Sequence, residues 1–364
     1  MKLNFYMPTK VFFGENCLAE QAAQFKQLGT KAFIATGKSS AQNGSLAAVI
    51  AALTASNIDY TLFDRISSNP SVTLVREAAQ LAREAKADFI IGIGGGSPMD
   101  AAKAIAVLTY NEVDDIRLFS GPYDQPVLPV VAVPTTAGTG SEVTQYSILT
   151  NEKEETKTSI ANEVIFPKLA FLDPEFMADL PQRVTIHTAV DALSHAVEGY
   201  LSTKATTISS LVATESMTLL GECLKQLTEP IDQSVRAKLL YASMLGGMVI
   251  AHTGTTAVHA MGYSLTYFKG IDHGRANGLL LGEYLAVLAP SHPEKVQEVL
   301  RCLGFSQVEE FKNVLDSLLG EKESVTTEEL ERFSAKAAQA KNLANTLVAL
   351  NQADLAGIIK RSLA

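Results

Sequence analysis

Phe89-Ile-Ile-Gly-Ile-Gly-Gly-Gly-Ser-Pro-Met-Asp100 decides how the chain folds. Phe89–Gly92 is a short apolar run that leads into a series of glycines, and it reads as a buried strand. Ser97 is a suitable helix N-cap and Pro98 suits a first helical position, so a helix is expected over Pro98–Leu108. Glycines at such a junction let backbone approach a ligand, and the free amides and helix dipole attract phosphate. The spacing is not G-x-G-x-x-G, because Ser97 stands where the third glycine would be. No G-x-x-x-x-G-K-[ST] occurs either, which disfavours a P-loop nucleotide hydrolase. A strand–glycine–helix junction also serves as a plain tight turn, so this stretch alone does not establish pyrophosphate binding.

Outward from it, Ala32–Thr36, Tyr60–Phe63 and Val130–Val133 read as further buried strands. Ser45–Ser56 and Val72–Lys86 carry apolar residues at helical spacing. Strand–helix alternation predicts a mostly parallel sheet with helices on both faces. From about Asp179 onward the periodicity is helical almost everywhere and no strand series stands out. Leu172-Asp173-Pro174 and Leu180-Pro181 supply turn chemistry. We therefore expect an α/β domain over 1–178 and an all-helical domain over 179–364, with a ligand cleft between them.

At 364 residues the chain is long enough for two domains with substantial cores. It is 47% hydrophobic and 19% charged, which argues against a disordered or fibrous chain. A net charge of −9 and no cluster of Lys or Arg disfavour nucleic acid as a partner. Cys17, Cys223 and Cys302 are few and far apart, forming neither a metal pair nor a disulfide framework, which fits a reducing compartment. The opening MKLNFYMPTK lacks an apolar h-region, and no apolar stretch approaches a membrane span. The expectation is a cytoplasmic protein without membrane association.

After the strand Val130–Val133 comes Pro134-Thr-Thr-Ala-Gly-Thr-Gly-Ser-Glu142. Small hydroxyl residues and glycines offer hydrogen-bond donors with little bulk, which suits phosphate and ribose oxygens. Two such loops leaving the C-terminal ends of parallel strands fit a ligand crevice and together favour a dinucleotide.

All six histidines, His187, His195, His252, His259, His273 and His292, lie in the second half. Asp191 and His195 are four apart on an apolar helical stretch, so both share one face. A paired Asp–His hydrogen bond would account for them if nothing else were near. His259 and His273 lie among small residues that permit close approach. One carboxylate with three imidazoles is a ligand set for Fe²⁺ or Zn²⁺. His187, four residues before Asp191, is a rival ligand or a packed neighbour. His252 reads as a packing or capping residue and His292 as a surface loop residue. Spacing alone does not choose four ligands from five candidates.

The quoted motifs, with Asp191-Ala-Leu-Ser-His-Ala-Val-Glu198, His259…His273-Gly274 and the opening Met7-Pro-Thr-Lys-Val-Phe-Phe-Gly14, resemble the iron-containing alcohol dehydrogenase family. The resemblance covers nearly the whole chain and looks closest to the 1,3-propanediol and butanol dehydrogenase-like members. It implies a dehydroquinate synthase-like fold, with an α/β dinucleotide-binding domain, a helical domain and one divalent metal, Fe²⁺ or alternatively Zn²⁺. Carried over by motif, the metal ligands are Asp191, His195, His259 and His273, and His187 and His252 are set aside. The same carry-over places pyrophosphate near Gly95, Gly96 and Ser97 with Asp100 close by. Thr135, Thr136 and Thr139 would surround the adenosine and pyrophosphate, and Asn69 and Lys157 match further cofactor positions. Many members carry a second histidine four residues after the third ligand. Here that position is Tyr263, which either takes over a proton relay or lines the pocket, and pocket lining is our reading.

The resemblance implies hydride transfer between NAD(P)(H) and a small primary alcohol, diol or aldehyde, in a protein that allows a homodimer. NAD-preferring members often carry Asp after the strand matching Ala32–Thr36, where its charge repels a 2′-phosphate. This chain has Gly37-Lys38-Ser39-Ser40 there, so NADP(H) is expected over NAD(H). Three rivals remain: a zinc polyol dehydrogenase of the glycerol type, a dehydroquinate synthase-like lyase, and a silent nucleotide- or metal-binding regulator. The lyase would show more basic residues for a phosphorylated acid than Lys269 and Arg275. An intact ligand set counts against the regulator.

Overall fold

The computed structural model describes residues 3–364. Two compact units share the chain. Met7–Thr136 and Gly140–Asp179 form one; residues 3–6, Ala137–Thr139 and Leu180–Ala364 form the other.

The first unit is built on a six-stranded sheet. Its strands are β1 (Lys10–Phe13), β2 (Lys31–Thr36), β3 (Asp59–Phe63), β4 (Phe89–Gly94), β5 (Val130–Pro134) and, after the antiparallel hairpin β6 (Tyr146–Asn151) and β7 (Thr156–Ala161), β8 (Leu169–Leu172). The order is β1-β8-β5-β4-β2-β3 and every pair is parallel. Helices α1 (Cys17–Glu20) and α2 (Ser45–Ala55) cover one face, while α3 (Val72–Glu84), α4 (Gly96–Leu108) and α5 (Asp115–Ser120) cover the other. The pleat shows why the strands read as apolar runs. Phe89, Ile91 and Ile93 pack with Val49 and Leu53, whereas Ile90 packs with Ala78 and Ile105.

The chain moves outward from β2 to β3, then returns past β2 to β4 and continues to β5 on the other side. The topological switch therefore falls between β2 and β4, the usual ligand position in an open parallel sheet. Register places Thr36 opposite Ile93 and Gly94 opposite Pro134, so the ends of β2, β4 and β5 are neighbours.

Three local expectations need correction. Tyr60–Phe63 is not a buried strand: β3 is the sheet edge and only Phe63 is buried. The helix after β4 begins at Gly96 rather than Pro98, and Gly95, not Ser97, is its N-cap. Gly94 turns the chain at φ +141°, a conformation other residues rarely adopt, so the helix starts earlier than the Ser-Pro signal implied. Strands β1, β6, β7 and β8 were absent from the sequence reading. β1 and β8 have only four residues each, and β6–β7 mixes Ser, Thr and Lys into a half-buried ribbon.

The second unit, among its described residues, is helical: α6 (Gln182–Tyr200), α7 (Thr207–Leu224), α8 (Gln233–Thr253), α9 (Ala257–Lys269), α10 (His273–Leu288), α11 (Pro293–Leu303), α12 (Val308–Leu319), α13 (Thr327–Ala338) and α14 (Gln352–Ser362). Helix α6 is buried nearly throughout and packs on α7, α8 and α10, while α9 packs on α10. The approach of α10 to α6 depends on Gly274, where a Cβ would collide with the His187 carbonyl oxygen. No helix among the described residues is long and apolar enough to cross a membrane.

Candidate functional site

In the sheet unit, the C-terminal strand ends gather most of the residues singled out as cofactor contacts. Gly95 and Gly96 open α4, and Thr136 lies so close to Gly95 that a Cβ there would sit 3.1 Å from its Oγ1. The Thr135 amide donates to the Gly94 carbonyl at 2.9 Å. Ser97 Oγ accepts from the Asn69 amide at 3.1 Å, and Thr150 Oγ1 donates to the Asn69 carbonyl at 3.0 Å. Lys157 is paired with Thr150 across the β6–β7 hairpin. Gly37, Lys38 and Ser39 follow β2, and the two latter side chains are exposed. Thr139 is the exception, because Ala137–Thr139 belongs to the helical unit.

Asp100 turns inward. Its carboxylate accepts from Ser141 Oγ at 2.6 Å and from the Ile148 amide at 3.1 Å. Beside it Lys103 is fully buried and donates to Ser141 O at 2.6 Å and Tyr146 O at 2.7 Å. These bonds tie α4 to the loop that follows β5 and to β6. Burial pushes the Lys103 ammonium down to about 8, against the attraction of Asp100 and Glu142. Burial raises the Asp100 carboxyl, and it pushes Glu142 up to about 7. Glu142 Oε1 is buried and has no hydrogen-bond partner. Lys103 and Glu142 were missed in the sequence; a lysine inside Ala101-Ala-Lys-Ala-Ile105 was the available signal.

In the helical unit, α6 presents Asp191 and His195, the start of α9 presents His259, and α10 begins at His273. Ligand atoms of Asp191, His195 and His259 lie within 4.8 Å of one another, and all three residues are buried. His195 Nε2 and His259 Nε2 are 3.1 Å apart. Asp191 Oδ1 is 3.9 Å from His259 Nε2 and 3.9 Å from His273 Nε2. His273 is thus beside the set but outside its tight trio.

The hydrogen bonds on the far side of each ring define the donor chemistry. His195 Nδ1 lies 3.2 Å from the Gly138 carbonyl, and His259 Nδ1 meets a carboxylate oxygen of Glu198. Each acceptor requires a proton on Nδ1, which leaves a lone pair on each Nε2. Two lone pairs 3.1 Å apart beside a carboxylate call for a cation or a proton between them. The Asn277 amide nitrogen lies 2.9 Å from Asp191 Oδ1, 3.1 Å from His259 Nε2 and 3.3 Å from His273 Nε2. Its two hydrogens cannot serve three acceptors. The residues fit a divalent ion with nitrogen and oxygen ligands. Burial holds the His195 imidazole below its usual range, which keeps it neutral and ligand-competent.

The other histidines are engaged elsewhere. His187 Nδ1 pairs with Asp272 at 2.8 Å. His252 Nδ1 donates to Met248 O, its Nε2 accepts from the Tyr6 amide at 3.0 Å, and its ring stacks on Phe5. His292 precedes α11 beside Ser291. Tyr263 stacks on His273 with centroids 5.5 Å apart and planes at 7°. Asn277 and Glu198 were missed in the sequence, although Asn277 is one turn after His273.

The family profile for iron-containing alcohol dehydrogenase matches residues 8–174, and that for the C-terminal part of the Fe-containing family matches 185–363. The chain belongs to the iron-containing alcohol dehydrogenase family. It is 38% identical over 281 residues to alcohol dehydrogenase 4 of Schizosaccharomyces pombe, covering 76% of this chain and 66% of that protein. It is 33% identical over 307 residues to 1,3-propanediol dehydrogenase of Citrobacter freundii, covering 83% of this chain and 79% of the other. The crystal structure of an iron-containing alcohol dehydrogenase from Thermotoga maritima superimposes with a TM-score of 0.93 at 43% identity, covering 99% of both chains. The fold is accordingly the dehydroquinate synthase-like fold of this family, and the protein is an oxidoreductase of the alcohol–aldehyde class.

Proposed function

We propose that the protein is an NAD(P)(H)-dependent alcohol dehydrogenase or aldehyde reductase acting on small, uncharged primary alcohols, diols and the matching aldehydes. The observation that carries this is the facing pair of His195 and His259 Nε2 atoms beside Asp191. In this reading Asp191, His195, His259 and His273 hold one Fe²⁺, with Zn²⁺ as the alternative ion. Residues 1–178 form the dinucleotide domain and 179–364 the metal and substrate domain. The bound groups supply Lewis-acid polarisation of the substrate oxygen and hydride exchange at the nicotinamide.

The chain's own residues supply position. The amides at the start of α4 and the Thr135 and Thr136 hydroxyls receive the pyrophosphate, and Thr139, Asn69 and Lys157 contact the rest of the cofactor. Asp100 and Lys103 hold the receiving loop in place from behind. Lys38 and Ser39, both exposed after β2, favour the 2′-phosphate of NADP(H). Tyr263 lines the substrate pocket. The preference for uncharged substrates is supported by Lys269 and Arg275, which are already paired with Glu329 and Glu323. A phosphorylated acid would find neither cation unengaged, which disfavours the lyase. A cytoplasmic homodimer is the setting we propose.

The test is a panel of primary alcohols, diols, aldehydes and phosphorylated acids with NAD(H) and NADP(H), before and after metal exchange. Metal-dependent turnover of uncharged substrates is expected. Selective turnover of phosphorylated or carboxylated compounds, or turnover that survives metal removal, would overturn the reading.

A further inference from the structure

We propose that Glu198 is the positioning residue of the metal site, fixing both the tautomer of His259 and the start of the helix that carries it. The inference rests on the metal reading above. Glu198 follows His195 by three residues and Asp191 by seven on α6, so the three share one helix face. It is fully buried.

Its two carboxylate oxygens have separate tasks. Oε1 accepts from the Thr256 amide at 2.8 Å, Thr256 Oγ1 at 2.6 Å, the Val258 amide at 3.0 Å and the His259 amide at 3.3 Å. These amides are the unpaired donors that every helix start leaves. Thr256, the N-cap of α9, makes no side-chain cap of its own, so Glu198 caps α9 from another helix. Oε2 accepts from His259 Nδ1, which turns Nε2 toward His195 and Asp191. One carboxylate therefore sets where α9 begins and which nitrogen of His259 faces the ion.

The division of labour makes the amide replacement informative. In Glu198→Gln, the three amides and the Thr256 hydroxyl demand the carbonyl oxygen on the Oε1 side. The side-chain NH₂ must then face His259 Nδ1. A donor there forces His259 into the Nε2–H tautomer, which puts a proton on the nitrogen that should ligate. Loss of an outer-shell partner of a ligating histidine costs about 10- to 100-fold in metal affinity.

The experiment measures Zn²⁺ affinity by chelator competition in the wild type and Glu198→Gln. The tautomer of His259 is read from ¹⁵N-histidine NMR of both, with its signal assigned by its loss in His259→Gln. Wild-type His259 should be the Nδ1–H tautomer before and after Zn²⁺ is added. Glu198→Gln should show the Nε2–H tautomer and bind Zn²⁺ about 10- to 100-fold more weakly. A purely structural cap would lower the melting temperature but leave tautomer and affinity unchanged, and that result overturns the proposal. An Nε2–H tautomer in the wild type overturns it even if the variant fails to fold. A wild type that binds no Zn²⁺ overturns the metal reading together with this one, whereas normal Zn²⁺ binding in both proteins overturns the role of Glu198 alone.

Discussion

His195 and His259 turn their Nε2 atoms toward each other at 3.1 Å, each with its Nδ1 engaged by an acceptor behind it. The two rings stand on different helices, so the approach comes from packing rather than from sequence proximity. Such an arrangement is unfavourable unless a cation or a proton lies between the rings.

The cleanest test of the ligand set is His195→Ala. His259 is also the partner of the buried Glu198 carboxylate, so removing it strands a charge and endangers folding. Removing His195 loses its bond to the Gly138 carbonyl and its contact with the His259 ring, and strands no buried charge. We expect His195→Ala to keep a wild-type far-ultraviolet circular dichroism spectrum and to lose Fe²⁺ or Zn²⁺ binding by at least about 100-fold. Activity should fall with it. Full metal occupancy in the purified variant, measured by elemental analysis, would remove His195 from the set.

Glu142 predicts a pH dependence of stability. Its folded pKa is raised by burial from 4.5 to about 7, so between those values the folded state holds a proton that the unfolded state has released. The stabilisation is complete below pH 4.5 and is lost as pH rises through about 7. Lys103 interacts electrostatically with both Glu142 and Asp100; it titrates higher, near 8, and its charge moderates the effect. In Glu142→Gln this loss is absent. The melting temperature of the variant relative to wild type should therefore rise between pH 4.5 and 7.5, by on the order of 5 °C. A difference that stays flat across that range contradicts it.

The sheet core was legible because β2, β4 and β5 are buried on both faces, which leaves continuous apolar runs such as Phe89–Ile93. β3 gave the same signal from Tyr60 and Leu62, yet these lie on an edge and are exposed. Edge position depends on the order of strands in the sheet, which no local pattern carries. The histidine and aspartate candidates were legible as residue types, but the choice among them needed a family resemblance. The geometry that distinguishes His187 from His195 is the pairing of His187 with Asp272, 85 residues away. Glu198 was hidden for the same reason: all its partners lie 58 to 61 residues later in the chain.

Tyr263 tests pocket lining against proton relay. Its ring is stacked on His273, and phenylalanine preserves that stack while removing the hydroxyl. Tyr263→Phe should hold kcat within about threefold of wild type with an unchanged pH profile, since a positioned acid or base is worth about 100-fold or more. A loss of that size with a shifted profile would assign the hydroxyl a proton.

The cofactor preference turns on the residues after β2, and the structure decides which of them is fit for the test. Gly37→Asp is the obvious substitution, but a Cβ at Gly37 would lie 2.9 Å from the Ile66 carbonyl oxygen. The Ile66 amide in turn donates to Thr36 at 3.0 Å, so this carbonyl belongs to a braced segment that yields poorly. Gly37 therefore has a packing reason to be glycine, and a loss of NADP(H) binding in Gly37→Asp would not separate charge repulsion from distortion. Lys38 is exposed and its removal disturbs no neighbour in the core. If its ammonium meets a 2′-phosphate, Lys38→Ala should lower kcat/KM for NADPH by about tenfold, corresponding to roughly 1.4 kcal/mol of lost interaction. The value for NADH should stay within about twofold, and the loss for NADPH should shrink as salt screens the pair. Equal losses for both cofactors, or a wild type that prefers NADH, would overturn the NADP(H) preference and leave the metal-dependent reaction standing.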